Sequence, residues 1–230
     1  MAEAPPDGGF WALLGEQQRA RLVSTGRERR VASGRRLFEE GRPAPSLVVI
    51  LQGCVRISTV GRGGEERLLA VRGVGDLLGE MGGLIGGTRT ATVTAVGDVR
   101  ALALAREELE QLSRAEPAIL QALVRALVHR IQEADRARLD LLDEAPVRIR
   151  RLLVDLVHRF SVPIAGSARR IDVALSQEDL ASLTFTSRGV VATTLRDLRE
   201  RGLVQTGRRE LIVTDVAALE RSARRDDAAD

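Results

Sequence analysis

Residues 175–188, LSQEDLASLTFTSR, followed by 189–199, GVVATTLRDLR, are the stretch whose reading decides the fold. Ser176 is an N-cap with Asp179 three residues on, a shortened capping box. Leu180 and Leu183, then Val191, Leu195 and Leu198, give two short helices one apolar face each, joined by a polar turn. Such a pair places the amino end of its second helix at base edges in the DNA major groove. Ser176, Gln177, Ser187, Arg188 and Thr193 are the candidate DNA contacts, and Arg208 and Arg209 fall between two short β-runs where a hairpin wing meets phosphates. Two helices packed in a domain that binds no DNA fit the same bare pattern.

Working outward from there, 203–205 and 211–214 form the wing hairpin, 171–174 a short strand, 161–170 a loop and 147–160 a helix. Asp143, Glu144, Ala145 and Pro146 break the pattern and mark a hinge. Upstream of it Leu120, Val124, Leu127, Ile131, Ala134 and Leu141 follow a three-then-four spacing behind Pro117, with Arg138 on the seam. A stripe this narrow and long favours a partner helix, hence a homodimer. Before Pro117, β-rich runs at 47–51, 55–60, 67–71, 90–96 and 100–104 alternate with glycine turns, as in a sandwich or roll. Residues 10–22 read as a short amphipathic helix. The expected organisation is an α+β chain: a β-roll over 10–116, a dimerisation helix over 117–143 and a winged helix-turn-helix over 146–222.

Composition bounds the function. At 230 residues the chain has room for two domains, and 44% apolar residues fit a globular protein. No apolar run approaches the ~20 residues that span a bilayer, and residues 1–9 are rich in proline and glycine, so a cytoplasmic, unprocessed protein with no membrane partner is expected. The single Cys54 excludes an internal disulfide framework and a multi-cysteine metal cluster, and reads as a core residue. His129 and His158 lie apart without a ligand-spaced companion, so no metal is expected. Residues 73–79 match a dinucleotide loop only loosely. No catalytic triad or Cys-His arrangement is supported, and an enzyme is not expected. All 35 basic residues are arginine and the net charge is only +3, a balance that permits nucleic-acid binding without arguing strongly for it.

A second constellation is Gly79-Glu80-Met81, followed by Arg89-Thr90-Ala91. A carboxylate accepts from ribose hydroxyls, an arginine with a neighbouring hydroxyl holds a phosphate, and glycine lets the backbone approach. Glu80 and Arg89 therefore suit the two ends of one nucleotide. A buried Glu80–Arg89 pair with no ligand is the alternative.

Together these residues resemble the cyclic-AMP receptor protein / fumarate-nitrate regulator family of bacterial transcription regulators, in particular its actinobacterial members, from about Arg30 to Asp215. The likeness rests on Glu40-Gly41, Gly53, Gly75-Asp76, Gly79-Glu80, Arg89-Thr90, Arg130, the run 175–181 and Thr186-Ser187-Arg188. It implies that Gly79 and Glu80 bind ribose, that Arg89 and Thr90 bind a cyclic phosphate, and that Arg130 reaches in from the long helix. It also implies cyclic AMP or another cyclic nucleotide as allosteric effector, with double-stranded DNA, a second copy of the chain and RNA polymerase as partners. Where the family reads adenine with a hydroxyl or amide pair, this chain has Ala134 and Asp135; an ionised Asp135 accepts from the adenine amino group or from the N1–H/N2–H edge of guanine. The family's recognition-helix glutamate and second arginine are replaced by Gly189 and Thr193, and its turn glycine by Phe185. A ligand-independent regulator with a relic pocket and a cyclic-nucleotide-regulated protein-interaction module are the alternatives. Ligand binding is expected to shift the dimer equilibrium and rotate the DNA-binding domains to half-site spacing.

Overall fold

The computed structural model describes residues 9–61, 63–164, 166–207 and 210–224. Two compact units divide the chain, one running to Ala134 and the other from Asp135.

In the first unit a 3-10 turn, Phe10–Leu13, leads to α1 (Glu16–Thr25), β1 (Arg27–Val31), β2 (Arg36–Phe38), β3 (Ser46–Val60), β4 (Glu66–Arg72) and β5 (Leu77–Leu78). The short α2 (Glu80–Gly83), β6 (Thr92–Ala105), α3 (Arg106–Ala115) and α4 (Pro117–Asp140) follow. The strands form one antiparallel sheet in the order β1-β6-β3-β4, with β2 added on β6 and β5 on β3. Because alternate side chains point to opposite faces, Leu47, Val49, Leu102 and Leu104 meet Phe10, Leu14, Leu22, Leu109, Ile119 and Leu123 on one side. Val48, Ile50 and Ala101 join Val31, Phe38, Leu78 and Val93 on the other. Each fully buried leucine or isoleucine here contributes roughly 1.5–3 kcal/mol.

The short runs expected from the sequence are joined in pairs. Residues 47–51 and 55–60 are one strand, β3, and 90–96 and 100–104 merge into β6. The registers slip between Ile50 and Gln52 and again between Gln52 and Cys54, bulges that bend β3 without ending its ladder to β6. Gly53 (φ +80°) and Gly97 (φ +72°) supply the left-handed backbone this requires. The helix expected over 10–22 is also split, because Leu14 and Gly15 are extended between the 3-10 turn and α1.

In α4, Ile119, Ala122 and Leu123 are buried against the roll, and Leu127 packs partly on the same core. Leu120, Val124, Val128 and Ile131 are about half exposed along the opposite face. Leu127, expected on the seam, packs partly on the core of its own domain, and Val128 is exposed on the face with Leu120, Val124 and Ile131.

The second unit contains α5 (Ala145–Phe160), β7 (Ser161–Pro163), β8 (Arg169–Ile171), α6 (Gln177–Leu183), α7 (Arg188–Glu200), β9 (Val204–Gly207), β10 (Glu210–Val213) and α8 (Val216–Arg224). Pro146 sits in the first turn of α5, where a missing N–H costs nothing. Arg151 bonds both Asp140 and Asp143 and so ties the break to α5. The expected 161–170 loop contributes β7, which hairpins onto β8, giving a sheet β7-β8-β10-β9. Ile149, Leu153, Leu156, Val191, Leu195, Leu198, Val213 and Leu219 form the buried interior. The fold is α+β, a β-roll unit and a winged helix-turn-helix unit.

Gly53 tests the bulge: a β-carbon there would lie 2.5 Å from the Asp98 carbonyl oxygen. Gly53→Ala should lower unfolding free energy by about 2 kcal/mol or more, the left-handed penalty plus the clash; urea denaturation checks it.

Candidate functional site

In the roll, β5 leads into Gly79, which is left-handed (φ +81°) and caps α2. A β-carbon on Gly79 would fall 2.2 Å from Arg89 Nη1, so only glycine fits. Glu80 follows at 4% exposure. Its Oε1 accepts from Arg130 Nη1 at 2.6 Å, and Arg130 Nη2 donates to the Leu77 carbonyl at 3.0 Å. The long helix thus supplies the cation that a buried carboxylate requires.

Arg89 is 6% exposed and is not paired with Glu80. Its Nη2 donates to Ser46 Oγ at 3.2 Å and its Nη1 to the Gly79 carbonyl at 3.4 Å, while the guanidinium lies over the Phe38 ring, 3.5 Å from its centroid. Burial pushes its pKa below the ordinary arginine value; the Arg29 charge pushes the same way and Glu80 opposes. It forms no ion pair among the described residues, so a guanidinium that stays charged sits in a protein niche with only neutral acceptors. Thr90 is exposed beside it, its hydroxyl 3.8 Å from Met81 Sδ.

Gly79, Glu80, Arg89 and Arg130 therefore converge, with Thr90 at the rim. Ser46 and Phe38 were not legible as site residues: one opens a strand and the other closes one, and nothing local distinguishes them. Asp135 belongs to the second unit, where it is exposed and 3.4 Å from Arg138.

In that second unit Ser176 caps α6 as expected. Its Oγ accepts from Asp179 N at 3.1 Å, and its own N–H donates to Asp179 Oδ2 at 2.8 Å. Gln177 opens α6 half-buried. Ser187 caps α7, accepting from Val190 N at 3.4 Å. Arg188 is the first residue of α7, exposed and 3.2 Å from Glu178, and Thr193 is exposed one and a half turns on. Arg208 and Arg209 lie outside the described residues.

Sequence reasoning missed the brace on the interhelical turn. Arg148 donates from Nε to the Thr184 carbonyl (2.9 Å), from Nη2 to the Phe185 carbonyl (3.3 Å) and from Nη1 to the Asp143 carbonyl (2.6 Å). Phe185 has φ +50°, the sole positive φ among described non-glycine residues, which costs about 1–2 kcal/mol in a residue with a β-carbon.

A match to the cyclic nucleotide-binding domain model covers residues 28–116, and one to the Crp-like helix-turn-helix domain covers 147–222. The chain belongs to the cyclic-AMP receptor protein family of transcription regulators. It is 32% identical over 192 residues to a CRP-like cAMP-activated global transcriptional regulator of Mycobacterium tuberculosis, covering 83% of this chain and 85% of that one. To the cyclic AMP receptor protein of Thermus thermophilus it is 35% identical over 198 residues, covering 82% and 88%. The crystal structure of Thermus thermophilus catabolite activator protein matches with a TM-score of 0.53 at 33% identity, over 94% of this chain and 98% of that one. It is a cyclic-nucleotide-regulated, DNA-binding transcription regulator.

A β-carbon at Gly189, in the first turn of α7, would meet only Ser187 Oγ, at 3.8 Å. Gly189→Ala should therefore raise stability by about 0.5–1 kcal/mol through helix propensity; a thermal melt checks it.

Proposed function

We propose that Gly79, Glu80, Arg89, Thr90 and Arg130 bind a cyclic nucleotide, with cyclic AMP the first choice, and that the bound state regulates DNA binding by α7. The observation that carries this reading is Arg89, a buried cation held by a hydroxyl, a carbonyl and an aromatic face. A phosphate anion placed there gains charge-assisted bonds in a dry environment. Glu80 Oε2 has no hydrogen-bond partner among the described residues and suits a ribose hydroxyl. The mycobacterial and Thermus relatives, named for cyclic AMP, support that nucleotide. Asp135 is assigned to the base edge on the family resemblance alone.

The helix that carries Arg130 also presents Leu120, Val124, Val128 and Ile131 outward, and these are the residues we assign to a homodimer seam. Arg130 and Ile131 are adjacent on α4, so a ligand that tightens the Glu80–Arg130 contact acts on the helix that carries the seam. It shifts the dimer only as far as it binds one arrangement better than the other. Arg188 is then the guanine reader, Ser187 and Thr193 flank it, Ser176 and Gln177 approach the backbone, and Arg208 and Arg209 serve as phosphate contacts. The regulator acts in the cytoplasm as a non-enzymatic, metal-independent protein, on double-stranded DNA and with RNA polymerase as a further partner. The domain division over 10–116, 117–143 and 146–222 belongs to the same reading.

Calorimetric titration of nucleotide-free protein tests the pocket. Arg89→Ala should weaken cyclic AMP binding by about ten- to a hundredfold, the loss of one charge-assisted contact. Equal affinity in the variant moves the ligand elsewhere, and no heat with cyclic AMP or cyclic GMP leaves a ligand-independent regulator. Sedimentation tests the seam: Val128→Asp with Ile131→Asp should convert a micromolar dimer to monomer, since each apolar side chain returned to water costs roughly 1.5–3 kcal/mol. A wild type that is monomeric at that concentration removes the seam.

A further inference from the structure

Phe185 stands in the turn between α6 and α7 in a backbone conformation that suits glycine, and its side chain is 65% exposed. It contributes little to the interior: Thr184 on one side is buried, and the turn closes through backbone bonds, Phe185 N to the Ser182 carbonyl at 3.3 Å and Thr186 N to the Ala181 carbonyl at 3.0 Å. Glycine would make the same bonds without the strain and without exposing a ring to water. Stability therefore gives no reason for phenylalanine here, and strained, exposed positions held by their surroundings are where function is sought.

The surroundings do hold it. Arg148 fixes the carbonyls of Thr184 and Phe185, so the ring projects from an anchored backbone. Ser187, two residues on, caps α7, and Arg188 begins it. This is the end of the second helix that meets base edges in a helix-turn-helix.

The face of α7 has few other readers. In its first two turns Gly189 has no side chain, Ala192 is a half-buried methyl, and Thr193 is one short hydroxyl; Arg188 is the group there that can make a bidentate base contact, and the exposed Arg196 follows further along the helix. The amino end of this surface is short of hydrogen-bonding groups beyond Arg188 and carries one large apolar group at its edge. The apolar feature of the major groove is the thymine 5-methyl, a known partner for phenylalanine.

We propose that Phe185 is a specificity-determining residue that packs its ring on a thymine methyl at one position of each half-site. The assignment uses the DNA-binding character of the family and is independent of which effector occupies the roll.

The test pairs a protein change with a DNA change, using the full chain and a duplex obtained by selection with wild-type protein. Each thymine is replaced in turn by deoxyuridine, which removes the methyl group alone. Wild type should lose about fourfold in affinity at one position per half-site, the value of one buried methyl. Phe185→Gly should bind the thymine duplex at least fourfold more weakly and no longer distinguish thymine from deoxyuridine there, with a thermal midpoint equal to or above wild type. Should that variant fold poorly, Phe185→Asn, whose side chain tolerates the left-handed backbone, gives the same reading. The proposal falls if no thymine is methyl-sensitive in wild type, if the variants keep the sensitivity, or if they weaken every duplex equally.

Discussion

The bond between Glu80 and Arg130 organises the nucleotide-binding half. A carboxylate at 4% exposure is tolerable only beside a cation, and the cation comes from a helix fifty residues further along the chain. The guanidinium also satisfies the Leu77 carbonyl, so it holds the end of β5 and the start of α2 together. Glycine at position 79 is then forced from both sides, by its own left-handed turn and by Arg89 lying against it. With Arg130 committed to Glu80, Arg89 is left with neutral partners and is the group free to take an anion. One ion pair thus sets the roles of both arginines.

The DNA-binding half is organised differently, by backbone carbonyls held from a third helix. Arg148 reaches from α5 to the turn between α6 and α7 and to Asp143 at the head of α5. The amino end of α7 is therefore tied, through Arg148, to the residues just before α5. Arg151, three residues on, fixes Asp140 and Asp143 in the same segment. A regulator needs a stiff output element if a modest change at its input is to be felt at the DNA.

What the sequence made legible follows the range of the interactions. Capping at Ser176, the inward leucines of α6 and α7, and the wing strands are local patterns, and the structure reproduces them closely. The convergence of Glu80, Arg89 and Arg130 was available from family resemblance, because nothing local brings residues 80 and 130 together. Leu127 was assigned to the seam because it fits a heptad as well as Val128 does; only the presence of the roll on one side of α4 decides which of the two turns outward. The bulged strands were read as separate runs because a glycine in a β-run marks a turn and a bulge equally well. Ser46 and Phe38 escaped because their importance comes entirely from Arg89, forty or more residues away from either. The Arg148 brace escaped because an arginine on an amphipathic helix ordinarily faces water.

The pairing of β3 with β6 has a consequence for how the chain acquires its shape. Ser46 stands opposite Ala105 and Ser58 opposite Thr92, and β1 then adds to the far edge of β6, Arg27 against Ala103. β1 and β2 find their ladders only on β6 and wait for it, whereas β4 and β5 can pair with β3 beforehand, and closing so long a loop is slow compared with forming a helix. During synthesis the roll cannot be completed until the segment through residue 105 has left the ribosome. Until then Leu47, Val48, Val49 and Ile50, all fully buried in the finished protein, stand on a strand whose β6 edge is open to association with other chains. The exposed arginines of β1, which closes the far edge of β6, place charge where the finished sheet would otherwise offer an open edge.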